Sequence, residues 1–322
     1  MIDYIVRRTL LNIMLLVMLT TLMFVLFRLV PADPVAVILS PDVPEDVRNA
    51  LRRNWGLDRP LAEQFLAYIW NLLRGDFGVS FAYQQPVWTV LSDKLLNTVV
   101  LMIPATLVAV IIGIAGGVLF AWKRGTWLEL VGVVLPPVLR GIPVFWLGVI
   151  LLMIFAYGLR WLPIGGMSAV GVMPASKWDM YFSLEFLRHL ALPALCMILT
   201  SISEPILIMR SSMLETSGED YLELIRAKGA SEGRILYHAA RGSMLPVVTW
   251  VFHMFGYAIS STVVIEIVFS WPGLGREMVS AISTYDYPLV QAAFFLISVI
   301  VISLNFLTDI VYGFLDPRVT YS

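Results

Sequence analysis

"EDYLELIRAKGASEGRILYHAARGSMLP", residues 219–246, is the most polar stretch in the second half of a largely apolar chain, and it stands between two runs long enough to cross a bilayer. From Glu219 to Lys228 the residues are good helix formers. Glu219, Asp220 and Glu223 fall in the first turn and Arg226 and Lys228 in the last, the charge order that suits the helix dipole. Gly229 sits where a helix C-terminus asks for a left-handed residue, and Ser231 is placed to cap a second helix. That helix runs to Met244, before Pro246 opens the next apolar run. The stretch predicts a short helix, a tight turn and a second helix. Leu222, Leu224, Ile225 and Ala227 are more apolar surface than an exposed helix of this length needs, and so short a helix is marginal alone in water. It must rest either on the chain's own helix ends or in the groove of a partner. Spacing alone leaves the two evenly matched.

The rest of the chain explains the contrast. Of 322 residues, 59% are hydrophobic and 14% charged, with a mean hydropathy of +0.82, far from the roughly 25% charged of soluble domains. This is the composition of an integral membrane protein. A spanning helix needs about 20 mostly apolar residues, and such runs occur near residues 9–30, 98–121, 131–158, 190–210, 246–268 and 289–312. They predict an all-α polytopic protein with six transmembrane helices in a single domain, residues 1–322. Arg7 and Arg8 precede the first run, but no small-residue cleavage site follows its Leu10–Phe27 core, so it reads as an uncleaved span.

Arg7, Arg8, Lys123, Arg124, Arg210, Arg226, Lys228, Arg234, Arg241 and Arg318 fall on one set of surfaces, against Arg160, Lys177, Arg188 and Arg276 on the other. The positive-inside rule then places both termini and the 211–245 segment in the cytoplasm. The long 31–97 segment lies outside. Pro44 and Pro60 mark helix starts in it, and Leu61, Phe65, Leu66, Ile69, Leu72 and Leu73 have helical spacing. It predicts a helical cap, either a lid on the spans or a docking surface for an extracytoplasmic partner.

Absences narrow the function. No Gly-Lys dipeptide occurs, so there is no phosphate-binding loop for ATP. His189, His238 and His253 are too dispersed for a metal cluster, and the one cysteine, Cys196, reads as a small packed hydrophobe. A net charge of −1 argues against nucleic acid. An intramembrane protease built on Ser168 and His253 is disfavoured, because Ser168 lies in a Gly-rich loop and His253 suits a helix–helix hydrogen bond. Arg140, after the helix-disrupting Pro136–Pro137 pair, marks the cytoplasmic half of span three. Arg210, Asp309 and Glu266 lie near span ends, where snorkelling keeps a charge cheap. Glu204 is committed to the bundle interior, where it either lines a pathway or pairs with a neighbouring helix. Too few buried charges remain for a self-sufficient, ion-coupled secondary transporter, the main rival mechanism. Gly113 and Gly117 form a small-xxx-small packing face on span two.

The opening stretch also carries a resemblance. "DYLELIRAKGASEGRILYHAARGSMLPVVT" resembles the cytoplasmic coupling segment of the permease subunits of binding-protein-dependent ABC importers, and its D-Y-x-x-x-x-R-A-K-G form is similar to the dipeptide, oligopeptide and nickel branch. "LVPADP" (29–34), "GLDRP" (56–60), "LLRGDFGVSF" (72–81), "PVFWLG" (143–148), "LRWLPIGG" (159–166), "VVIEIVFSWPGLG" (263–275), "DYPLVQ" (286–291) and "DPR" (316–318) resemble that branch in order along the whole chain. Two departures stand out: Ala32 replaces a glycine, and Leu224 and Ile225 replace the paired alanines after Glu223.

The resemblance implies a type I importer permease in the inner membrane of a bacterium or archaeon. It implies that Asp220, Tyr221, Glu223, Arg226, Ala227, Lys228, Gly229, Ala230 and Ser231 meet an ATPase, which alone binds ATP and Mg. It further implies a second homologous permease as heterodimer partner, two ATPase subunits, an extracytoplasmic substrate-binding protein, and membrane lipid around the spans. Glu204, Glu266, Trp271, Pro272, Gly273 and Gly275 become candidates for the translocation path or its gate. Peptides are the implied substrate, with nickel chelates, glutathione and oligosaccharides as alternatives, and the chain itself would catalyse nothing.

Overall fold

In the computed structural model, residues 2–29, 35–36, 39, 43–169, 171 and 176–315 are described. Ala32 and the rest of "LVPADP" beyond Leu29, and the "DPR" signature with Arg318, lie outside them. The chain is helical, with no strand among the described residues beyond one isolated bridge, Val79 with Pro86. In order the helices are α1 (Ile2–Leu29), α2 (Glu45–Asn54), α3 (Leu61–Leu73), α4 (Val87–Trp122), α5 (Trp127–Gly141), α6 (Val144–Leu151, continued by a π-helical turn Leu152–Gly158), α7 (Lys177–Tyr181), α8 (Leu184–Ser201), α9 (Ser203–Thr216), α10 (Asp220–Ala227), α11 (Glu232–Gly242), α12 (Met244–Val268), α13 (Leu274–Ser283) and α14 (Tyr287–Leu315).

Five stretches are long and apolar enough to span: Tyr4–Arg28, Val87–Trp122, Leu184–Thr216, Met244–Val268 and Tyr287–Ile310. Most outrun their apolar cores, because polar residues such as Ser92, Asp93 and Lys94 continue a helix once it leaves the hydrocarbon. The run near 131–158 behaves differently. It becomes α5 and α6, bent by 99°, so it counts as a sixth span only if the bent pair is one. The expected disruption at Pro136–Pro137 is also misplaced, since α5 passes through both prolines. The break is at Ile142–Pro143. Proline drives the residue before it out of the α region, and Ile142 (ψ 126) and Pro143 (ψ 132) are both extended.

The chain falls into two compact units, Met1–Thr98 with Pro272–Ile302, and Val99–Trp271 with Ser303–Ser322. In the first, Val87, Leu91, Leu274, Leu289, Val290 and Ala293 form the core. Beside it Asp286, fully buried, accepts hydrogen bonds from Ser80 Oγ at 2.5 Å and the Ala82 amide at 3.0 Å. The "LLRGDFGVSF" and "DYPLVQ" signatures therefore meet on one buried carboxylate. Buried Glu277 accepts from Tyr83 Oη at 2.8 Å and pairs with Lys94 Nζ at 3.1 Å.

In the second unit the glycine face of α4 packs as its spacing predicts. A Cβ on Gly113 would stand 2.5 Å from Pro205, and one on Gly117 2.6 Å from Met209, so only glycine admits α9 this close. "PVFWLG", "LRWLPIGG" and "VVIEIVFSWPGLG" also converge. Gly148 lies against Val268 and Phe269, and the Gly166 amide donates to the Phe269 carbonyl at 2.9 Å. Cys196 is buried, its thiol 3.8 Å from the Val144 carbonyl.

Candidate functional site

The polar stretch folds as a helix, turn and helix. Gly229 takes φ +77°, the left-handed conformation its position asks for. Its amide donates to the Arg226 carbonyl at 3.0 Å. Ser231 starts α11 with extended backbone, but it caps through its carbonyl, which accepts from the Arg234 and Ile235 amides at 2.9 and 3.0 Å. Its hydroxyl makes no capping bond, contrary to expectation.

The two faces of α10 part company. Leu222, 3% exposed, enters a cluster with Met209, Met213, Ile235, Ala239 and Val247, and Ile225 and Ala230 pack partly buried on the same cluster. The helix thus rests on its own chain. The opposite face keeps Asp220, Tyr221, Glu223, Arg226, Ala227, Lys228, Gly229 and Ser231 exposed. Leu224 stands among them, 56% exposed. So the two bulky residues that depart from the family pattern do different work: Ile225 fills the chain's own core, and Leu224 faces outward.

Tyr221 stitches the two helices. Its ring crosses Gly242, where a Cβ would lie 2.5 Å from Oη, and its hydroxyl donates to the His238 carbonyl at 3.4 Å. Burial, then the charge of Glu219, raises its pKa. Ser243, fully buried between α11 and α12, ties the hairpin to α9. Its hydroxyl contacts Thr216 Oγ1 at 3.0 Å, and its carbonyl accepts from Ser212 Oγ at 3.1 Å. Gly242 and Ser243 escaped the sequence reading. The signal was the Gly-Ser pair in "ARGSMLP", ambiguous because small residues also mark ordinary helix ends.

Within the second unit, Glu204 forms an ion pair with Arg140 across α9 and α5. Both line a cavity of about 370 Å³ with Trp250, His253 and Tyr257. The pairing alternative holds, and the pair borders a cavity. A second pair, Arg210 with Glu129, joins the same two helices. His253 is exposed and makes no hydrogen bond among the described residues, so the expected helix–helix bond is absent and nothing joins it to Ser168.

Glu266 is fully buried rather than snorkelling, because α12 continues to Val268 and its last turn packs inside the chain. Trp271 is fully buried against Phe186. Pro272 is half-buried and its carbonyl accepts from Asn97 at 2.9 Å, while Gly273 and Gly275 are buried. Among the six candidates for the path, Glu204 alone borders the Arg140 cavity. No group of His, Cys, Asp and Glu among the described residues is arranged to hold a metal ion.

Residues 113–321 match the family described as binding-protein-dependent transport system inner membrane component, and residues 1–102 match its N-terminal counterpart. The chain is 36% identical over 323 residues to a protein named as a peptide permease in Brucella suis biovar 1, covering 99% of each. It is 35% identical over 322 residues to the glutathione transport system permease protein GsiC of Salmonella typhi, covering 100% of each. It is 33% identical over 321 residues to the oligopeptide transport system permease protein AppB of Bacillus subtilis, covering 99% of each. A helical, multi-pass chain with these signatures in order, matched end to end, belongs to the inner membrane components of binding-protein-dependent transport systems, in the peptide branch.

Proposed function

We propose that this chain is one of two permease subunits of an ATP-driven peptide importer, and that the exposed face of residues 220–231 docks a cytoplasmic ATPase. The observation that carries the reading is the division of α10. Leu222 and Ile225 meet the hairpin's need for support inside the chain, so packing does not account for an outward Leu224 ringed by Asp220, Glu223, Arg226 and Lys228. An outward apolar side chain inside a charged rim suits a groove in a partner.

In this reading residues 1–322 form one permease domain, with 31–97 as an external cap and 211–245 as the coupling segment. ATP and Mg belong to the two ATPase subunits. A second homologous permease completes the path, and an extracytoplasmic binding protein delivers the substrate. Peptides, glutathione among them, follow from what the relatives are named for. Motion of α10 reaches α11 through Tyr221 and Gly242, and α9 through Ser243, Thr216 and Ser212. It then reaches Glu204, which α9 carries into the Arg140 cavity. A ligand shifts such an equilibrium only by binding the two states differently, so the ATPase must grip this face differently with and without ATP.

The test is co-purification of the full complex with Leu224→Asp or Arg226→Glu. Loss of the ATPase subunits, with the permease still folded, is expected. Full retention of ATPase and of transport by both variants would remove the docking assignment. Uptake by this chain alone under an ion gradient would favour a secondary transporter.

A further inference from the structure

The first unit holds a second site that coupling does not use. A cavity of about 380 Å³ opens where α2 and α3 of the cap meet the end of α1 and the start of α14. Arg28, Arg53 and Arg59 border it against one carboxylate, Asp76, an excess of two positive charges. Four of its lining residues each bury a polar atom that lacks a protein partner among the described residues: Arg28 Nε, Gln64 Oε1, Tyr68 Oη and Gln291 Nε2. Gln291 is only 6% exposed. An unpaired buried polar group is costly, and four residues that each carry one line the same cationic cavity, which suits a polar, anionic guest.

A neighbouring cavity gives the guest its shape. It measures about 210 Å³, shares Tyr68 and Gln291 as a common wall, and is otherwise lined by Leu19, Thr20, Met23, Phe294, Phe295 and Ser298. Apart from Tyr68 it contains no ionisable group, and the Thr20 hydroxyl is already bonded to the Leu16 carbonyl at 2.7 Å. Leu19 lies nine residues before Arg28 on the same helix, about 14 Å at 1.5 Å per residue, close to the roughly 15 Å depth of one leaflet's hydrocarbon. A free phosphate or carboxylate has no use for an apolar slot beside its cavity. An acyl chain does.

We propose that this pair of cavities binds an anionic phospholipid of the extracytoplasmic leaflet. Its phosphate sits among Arg28, Arg53 and Arg59, its glycerol esters lie level with Tyr68 Oη and Gln291 Nε2, and one acyl chain lies along Leu19, Met23 and Phe294. Such a lipid fastens the external cap to the first and last spanning helices.

The test is native mass spectrometry of the complete permease complex, titrated in separate arms with phosphatidylglycerol, phosphatidylcholine and inorganic phosphate. Phosphatidylglycerol should be retained at least about tenfold better than phosphatidylcholine, which carries the same phosphate but adds a choline cation that the three arginines repel. Arg28→Gln should lower its retention by a similar factor. Ser298→Phe, which fills the slot, should weaken phosphatidylglycerol as well. If Arg28→Gln fails to assemble, Arg59→Gln at the exposed rim serves in its place, with a smaller loss expected. Equal retention of the two lipids would overturn the proposal. Phosphate binding that ignores Ser298→Phe, without retained lipid, would show an anion site and no lipid site.

Discussion

At the scale of single residues, glycine and carboxylate positions decide most. Gly117 faces the Met209 side chain and the Ile206 carbonyl, where a Cβ would lie 2.6 and 2.7 Å away. Backbone cannot yield as a flexible side chain does, so Gly117→Leu should force α4 and α9 apart. The expected result is loss of folded, monodisperse protein on size-exclusion chromatography, whereas Gly125→Ala, with nothing within 4 Å of an added Cβ, should assemble at near-normal yield despite φ +79°. Asp286 is a second such position. Asp286→Ala strips the partner from Ser80 Oγ and from the Ala82 amide. An unsatisfied buried donor costs about 1–3 kcal/mol, so the variant's thermal midpoint should fall clearly below that of Val79→Ala on the exposed surface nearby.

Elements set the next level. The turn between α10 and α11 depends on φ +77° at Gly229. A residue with a Cβ pays about 1–2 kcal/mol there, and proline, fixed near −65°, cannot adopt it at all. Gly229→Ala should therefore retain weakened coupling and Gly229→Pro none, read as substrate-stimulated ATP hydrolysis in the reconstituted complex. Between α5 and α9, the Arg140 side chain is 57% exposed in its pair with Glu204. Its partner Glu204 is only 18% exposed, and removing one member of a buried pair leaves the other charge unpaired, so a double-mutant cycle with Arg140→Gln and Glu204→Gln should show coupling in stability. Glu204→Gln should also alter transport, because the carboxylate borders a cavity. A stability loss larger than that of Arg140→Gln combined with normal uptake would make Glu204 a packing residue.

At the scale of the whole molecule, this is a multi-pass protein of the cytoplasmic membrane, and charge placement gives its orientation. Cys196 is the chain's one cysteine and is buried, so Cys196→Ala supplies a clean background for labelling. Ser231→Cys should react with a membrane-impermeant maleimide only from the cytoplasmic side, and Ser176→Cys only from outside. The reverse pattern would invert the topology and, with it, the assignment of the coupling face.

The sequence by itself determined the membrane class, the positions of the apolar runs and the helix–turn–helix of residues 220–242. These follow from near-neighbour physics: apolar length against bilayer thickness, charge against helix dipole, glycine against backbone conformation. It misjudged where the third run breaks, since two prolines inside α5 and one at Pro143 look alike until their neighbours' dihedral angles are known. It also misjudged Glu266, because depth along a helix does not reveal which side the rest of the chain covers. Only the tertiary structure decided which side of α10 is spent on the chain's own core, that Ser243 ties the hairpin to α9, and that Arg28, Tyr68 and Gln291 converge on one cavity. Those facts depend on contacts between residues far apart in sequence, and no local pattern encodes them.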